Sequence, residues 1–224
     1  AKVDVGDILL NAKGRLSYFN YGEMAVTNLT MTGKGDRHLT YKQGIGYKSV
    51  FKFNSLTNSM TGNWFYLGNA EKENSKSEFY FGEGGLNFSG KDATYCFGSN
   101  QRYDGLVIIR PWYGDFTIAK RADDGVSVLF NHKVEFNTND ESGKPRTIIW
   151  EAKTRSNHGS LVTVTGNGTL LVNNTHFIDG TYYPPVTVMA SATLAFGKGA
   201  NLGKGAVTVE MDATMEVLSG INKF

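Results

Sequence analysis

Near its C-terminal end the chain repeats one phrase: VTVTGNGTLLV (162–172), VTVMASATLAF (186–196) and VTVEMDATMEV (207–217). Aligned, Val162, Val186 and Val207 coincide, followed by Val164, Val188 and Val209. A small residue comes next (Gly168, Ala192, Ala213), then Leu170, Leu194 and Met215, then Val172, Phe196 and Val217. Thr163, Thr187 and Thr208 separate the valines, and Leu171, Ala195 and Glu216 separate the later apolar pair. Period-two alternation on both sides of a small-residue kink predicts two short strands per unit, each with one face inward. The copies start 24 and then 21 residues apart, a spacing typical of solenoids. A unit this small cannot bury its own apolar face, so it must stack on its neighbours. Stacked in parallel about 4.8 Å apart, like residues form ladders, with valine inside and threonine outside. Such stacking predicts a parallel β-helix. An antiparallel β-sandwich is the alternative, since it also alternates every second residue. Phrases that are identical in register favour stacked coils.

Weaker copies extend upstream. ILLNAKGRLSY (8–18) places Ile8, Leu10, Leu16 and Tyr18 at the same offsets, with Gly14 at the kink. VSVLFNHKVEF (126–136) does so through Val126, Val128, Val134 and Phe136, with His132 in place of the small residue. FYFGEGGLNF (79–88) reads as the same unit shortened by one residue, and DFTIAKR (115–121) and RTIIWEA (146–152) read as single strands. The period therefore runs through one segment, 1–224, with irregular coils over 1–158 and regular ones over 159–218.

From Gly159 the text resembles the autotransporter-associated β-strand repeat, also called the passenger-associated transport repeat. Four parts carry the resemblance: G-x-G-T-L-x-V at Gly166–Val172, an Asn-Thr and glycine phrase at Asn174–Thr181, Val186–Leu194, and L-G-x-G-x-V-x-V at Leu202–Val209. Asp179 departs from the family's Gly-Gly pair, and Tyr182–Pro185 (YYPP) reads as an insertion between coils. The resemblance implies a right-handed parallel β-helix, exported to the surface of a Gram-negative-type cell or beyond it. It implies a passenger segment that acts as scaffold or stalk, with adhesin as a further role and with an outer-membrane anchor elsewhere in the protein.

Composition agrees with an all-β reading: 27 glycines, 14 Phe, 11 Tyr and 3 Trp stand against four prolines, as suits short strands and tight turns. A formal charge of +2 without a Lys/Arg cluster argues against nucleic acid as a partner. The charged stretches GKGDRH (33–38) and NAEKENSKSE (69–78) read as solvated loops. No run of 18 apolar residues is present, so no membrane-spanning helix is expected, and no charged-then-apolar signal segment opens the chain. Cys96 is the single cysteine, which excludes an internal disulfide and a cysteine-based zinc site. The chain stops at Phe224, seven residues past Val217, with no amphipathic cap. A segment of a longer passenger, or an end covered by a partner, is the expectation. A gene ending here and a clean monomer in analytical ultracentrifugation would overturn it.

Glycan-cleaving β-helices need converging carboxylates. Asp104, Asp115, Asp123, Asp124 and Glu135 are spaced in a way that matches no single coil, and Asp123-Asp124-Gly125 reads as a turn. His38, His132, His158 and His176 lack metal-ligand spacing, and no Gly-x-Ser-x-Gly elbow or phosphate loop is present. The expectation is a non-enzymatic protein without catalytic residues, metal or cofactor. Flat rings with polar handles are the candidate contacts for glycans or surface proteins: Trp64 and Tyr66 in NWFYLG, Trp112 and Tyr113 in RPWYGDF, Tyr182 and Tyr183 in TYYPP. Alternation places Phe65 and Leu67 inward and leaves Trp64 and Tyr66 outward. The alternative function is a carbohydrate-binding or glycan-degrading module.

Overall fold

A computed structural model describes residues 2–10, 22–34, 37–39, 48–61, 64–68, 76–90, 93–98, 105–123, 125–131, 133–156, 160–173 and 184–218. Among them the chain is all-β, without a helix. A first coil holds β1 (Lys2–Val5) and β2 (Ile8–Leu10). Three coils then pair a long strand with a short one: β3 (Gly22–Lys34) and β4 (Arg37–Leu39), β5 (Lys48–Thr61) and β6 (Trp64–Leu67), β7 (Lys76–Phe88) and β8 (Thr94–Phe97). Two coils have three short strands: β9 (Leu106–Pro111), β10 (Phe116–Ile118) and β11 (Val128–Phe130), then β12 (Lys133–Asn137), β13 (Thr147–Trp150) and β14 (Thr154–Ser156). The last three coils have two described strands each: β15 (Val162–Thr165) and β16 (Thr169–Val172), β17 (Val186–Val188) and β18 (Thr193–Phe196), β19 (Val207–Val209) and β20 (Thr214–Val217).

Every strand ladder among the described residues is parallel, as stacked coils require and an antiparallel sandwich does not allow. Fifteen strands make one sheet that folds around β7, whose leading half pairs with β9 and whose trailing half meets β10. Five more form a second sheet in the order β14-β11-β8-β6-β4. The architecture is solenoid-like. The repeat stacks in the register of its alignment: Val162 on Val186 on Val207, Thr163 on Thr187 on Thr208, Leu170 on Leu194 on Met215. Val162, Val164, Leu170 and Val172 are buried while the threonines between them stay half-exposed. Each such side chain contributes roughly 1.5–3 kcal/mol before chain entropy is subtracted.

The period changes along the solenoid. One interior column runs Met24, Phe51, Phe79, Ile109, Phe136, Val164, Val188, Val209. Its steps are 27, 28, 30, 27 and 28 residues, then 24 and 21. The longer steps belong to coils that carry a strand of the second sheet, whereas the first coil, in which Val3 pairs with Met24 21 residues on, and the coils from residue 162 onward fit the two-strand unit among the described residues. A wider cross-section also needs bulkier filling. Phe51 and Phe79 stack with centroids 5.2 Å apart, and Phe136 packs on Trp150 at 5.3 Å, whereas the narrow coils use Val and Leu.

Three of the weaker copies are placed differently from the sequence reading. Ile8 and Leu10 pair with Leu29 and Met31, in the second-strand column and not the first; Gly14, Leu16 and Tyr18 lie outside the described residues. VSVLFNHKVEF turns a corner, with Val128 in the second sheet and Val134 and Phe136 in the first-strand column; His132 lies outside the described residues. In FYFGEGGLNF, Phe79 shares a column with Val164 and not Val162, two residues from the expected register. DFTIAKR and RTIIWEA are the single strands β10 and β13.

Candidate functional site

The regular ladder opens where β7 ends its first half. Relative to β5, β7 carries extra residues between Phe81 and Gly85, and the register shifts there. In the next coil, Trp112–Asp115 bridges β9 and β10 directly over this bulge, with the Trp112 N–H donating to the Phe81 carbonyl at 2.7 Å. Approach is close enough to require glycine at position 85. A Cβ on Gly82 would lie 2.5 Å from the Tyr113 hydroxyl, and one on Gly85, at φ +60°, would lie 2.4 Å from the Thr117 carbonyl.

One coil further, residues 138–146 leave the sheet as a tight excursion organised by Asp140. This residue is 1% exposed. Its Oδ1 accepts the backbone N–H of Ser142 (2.8 Å) and Lys144 (3.0 Å) and the Ser142 hydroxyl (2.7 Å), and its Oδ2 accepts Arg146 Nε (2.8 Å). Burial pushes the Asp140 carboxyl upward, but these donors outweigh it and hold the group well below the usual carboxylate range.

Beneath the excursion, Lys52, Tyr80 and Arg110 share an outward column of the first face. Tyr80 lies between two cations, with Lys52 Nζ 5.5 Å from its ring centroid and Arg110 Cζ 4.8 Å away. Arg110 donates to the carbonyls of Asn139 (3.3 Å) and Asp140 (3.0 Å), which fixes the excursion over the column. Lys52 pairs with Glu23 at 2.7 Å and with Glu141. Burial lowers the Lys52 pKa, yet the bonds to Glu141 and Glu23 prevail and raise it above the usual value. The bond from Lys52 leads the causes that hold Glu23 below its own. Tyr80 is raised by burial and then by Glu78.

The excursion and the Trp112–Asp115 bridge enclose an open depression of about 420 Å³, lined by Trp112, Tyr113, Asp140, Glu141, Ser142, Lys144 and Arg146. The two rings lie 5.3 Å apart at 52°, and Tyr113 is 45% exposed. Trp112 Nε1 donates to Glu141 Oε2 at 2.9 Å, and the Tyr113 hydroxyl donates to the Asn54 side-chain oxygen. Burial and then Glu83 raise the Tyr113 pKa. Both carboxylates are internally bonded, so the depression offers flat ring faces and cationic donors, not a poised acid–base pair.

Of the six aromatic residues singled out from sequence, the structure brings Trp112 and Tyr113 together at this depression. Tyr66 is a correction: it is 3% exposed and packs with Cys96 and Leu129 in a second apolar cluster on the reverse of the second sheet. Phe65 and Leu67 face the core as expected, but burial of the opposite face leaves Tyr66 no solvent. Trp64 lies in β6 with its side chain outside the described residues, as are Tyr182 and Tyr183. The five acidic candidates do not converge among the described residues. Asp115 accepts the Thr147 N–H (2.8 Å), Asp123 binds Arg121 and the Gly125 N–H, and Glu135 accepts the Thr165 hydroxyl (2.7 Å). Asp104, Asp124, His132, His158, His176 and the His38 side chain lie outside the described residues. No group of three His, Cys, Asp or Glu that could hold a metal occurs among the described residues. Lys52, Asp140, Glu141, Lys144 and Arg146 were missed; the Asp-Ser-Gly-Pro cluster within NDESGKPR was the available signal of an excursion. No family model, characterised protein or solved structure matches the chain.

Proposed function

We propose that the chain is a right-handed parallel β-helix segment of a surface-displayed or secreted, autotransporter-like passenger. It serves as a non-enzymatic scaffold or stalk, and its adhesin-like contacts are made by excursions between coils. The carrying observation is the in-register ladder Val162–Val186–Val207 with Thr163–Thr187–Thr208, which stacks the phrases that resemble the passenger-associated repeat. Such ladders supply stability coil by coil and leave no cleft of their own. The test places the chain between a secretion signal and an outer-membrane β-barrel anchor in a Gram-negative host. Exposure of the chain to added protease on intact cells supports the reading, and retention in the periplasm rejects it.

The second reading is a carbohydrate-binding or glycan-degrading module, favoured by the Trp112–Tyr113 pair at the rim of the depression. Release of reducing sugar from a polysaccharide panel by the purified chain would establish the degrading form. Binding without release would leave the lectin-like one.

A further inference from the structure

We propose that the depression between the Trp112–Tyr113 pair and the Asp140 turn binds an acidic sugar residue, its ring against the aromatic pair and its carboxylate or sulfate toward Lys144 and Arg146. The inference rests on reading Trp112 and Tyr113 as a contact surface and is independent of export.

The polarity of the site follows from which groups are already engaged. Asp140 accepts four donors, three on Oδ1 and one on Oδ2. Glu141 accepts Lys52 on Oε1 and Trp112 on Oε2. Asp140 has no acceptor capacity left for the hydroxyls of a neutral sugar, and Glu141 keeps only about half of its own. The donors are in the opposite state. Arg146 uses Nε on Asp140, and its terminal nitrogens have no partner among the described residues; the exposed Lys144 ammonium has none there either. Behind the depression, Arg110 is held by two backbone carbonyls and by no carboxylate among the described residues, so its charge adds to the positive side. Lys52 is shared between Glu141 and Glu23 and Arg146 offsets Asp140, so with Lys144 and Arg110 four cations stand against three carboxylates and the excursion side carries a single net positive charge.

The aromatic side has the opposite character. Trp112 and Tyr113 present tilted faces with centroids 5.3 Å apart, and the exposed Glu83 lies against Gly114 at that edge. A pyranose whose C–H face stacks on the aromatics and which carries a negative substituent is favoured with that substituent over Lys144, away from the Glu83 edge. A depression of about 420 Å³, open on one side, accommodates one or two sugar units of a longer chain. The shared chemistry is a sugar ring bearing an anion, whether uronate or sulfated.

Isothermal titration calorimetry on the purified chain tests this with trigalacturonate, a heparin-derived tetrasaccharide, neutral galactotriose and inorganic sulfate. At least one acidic oligosaccharide is expected to bind about tenfold or more tightly than galactotriose and than sulfate, with affinity falling as salt rises. Lys144→Gln, at an exposed position, should weaken that binding about fivefold, and Lys144→Arg should restore it. Trp112→Ala should weaken every oligosaccharide. Equal affinity for galactotriose, sulfate binding as tight as the oligosaccharides, no binding at all, or unchanged affinity in Lys144→Gln would each overturn the proposal. None of these failures affects the export experiment, which reads display alone.

Discussion

Lys52 and Glu141 form an ion pair across three coils of the solenoid, although 89 residues separate them in the chain. The excursion at 138–146 thus acts as a strap that ties β5 to the turn following β12, over a column that already contains Tyr80 and Arg110. Lys52 is nearly buried on the outer surface of the sheet because that strap covers it.

A double-mutant cycle with Lys52→Met and Glu141→Gln should expose the strap. Lys52→Met is expected to cost about 1–3 kcal/mol, because it strands the carboxylates of Glu23 and Glu141. Glu141 is 45% exposed, so solvent screens its share and the coupling energy should be nearer 1 kcal/mol. Denaturant midpoints of the four proteins measure it. Additive effects would show that the strap adds no stability through this pair.

Asp140 makes stability depend on acid. Its folded carboxyl takes up a proton only well below the ordinary value near ~3.9, so its stabilisation is complete above that value. It declines as pH falls below ~3.9 and is lost once the folded carboxyl is protonated; Glu23, also lowered, acts in the same direction. Asp140→Asn is therefore expected to cost about 2 kcal/mol at pH 7 and progressively less toward pH 3. Urea unfolding at pH 7, 5 and 3 reads this directly, and a penalty independent of pH would contradict it.

Gly168, Ala192 and Ala213 align in sequence as interchangeable small residues, but only the first must lack a Cβ. On Gly168 that atom would stand 2.2 Å from the Arg146 carbonyl and 2.8 Å from that of Thr138, where the excursion rejoins the sheet. Gly168→Ala should therefore cost roughly 2–4 kcal/mol through backbone displacement. Ala192→Gly, at a fully buried position that tolerates the Cβ, should cost only about 1 kcal/mol. Thermal melts of the two variants compare these effects, and equal shifts would refute the distinction.

These residues also show how much could be read from sequence alone. The ladders from Val162 to Val217 were legible residue by residue, since each narrow coil repeats the same register, with alternate positions buried in the first two coils and exposed throughout β19 and β20. The second sheet was not legible, because Tyr66, Cys96 and Leu129 are buried opposite Phe65, Tyr95 and Val128, and a strand covered on both faces shows no polar alternation. Trp112 and Tyr113 could be marked from sequence as rings flanked by Pro and Gly. Glu141, the partner of Trp112, could not, because the contact depends on how coils stack and on where the strap lands, neither of which leaves a local pattern.

Tyr95 provides a test of how the second sheet is joined to the first. Its ring is fully buried between Phe65, at 5.7 Å, and Phe88, at 4.8 Å, and its hydroxyl lies 3.0 Å from both the Leu56 and Asn87 carbonyls. Those carbonyls belong to β5 and β7, so one phenol ties the second sheet to the first. Burial drives its pKa well above the ordinary value near ~10. A phenol raised in this way stabilises the fold fully below ~10, and the contribution falls as pH climbs past that value, because the unfolded chain ionises first. In an alkaline titration followed at the tyrosinate absorbance, Tyr95 should therefore remain protonated until the protein unfolds. Tyr95→Phe removes the donor and leaves the buried carbonyls short of a partner, with an expected loss of about 1–3 kcal/mol at pH 7. The same variant should lose less stability than wild type between pH 9 and about 11, since it has no phenol to ionise. A Tyr95 that titrates freely near ~10 in the folded protein would mean that the second sheet does not close over it.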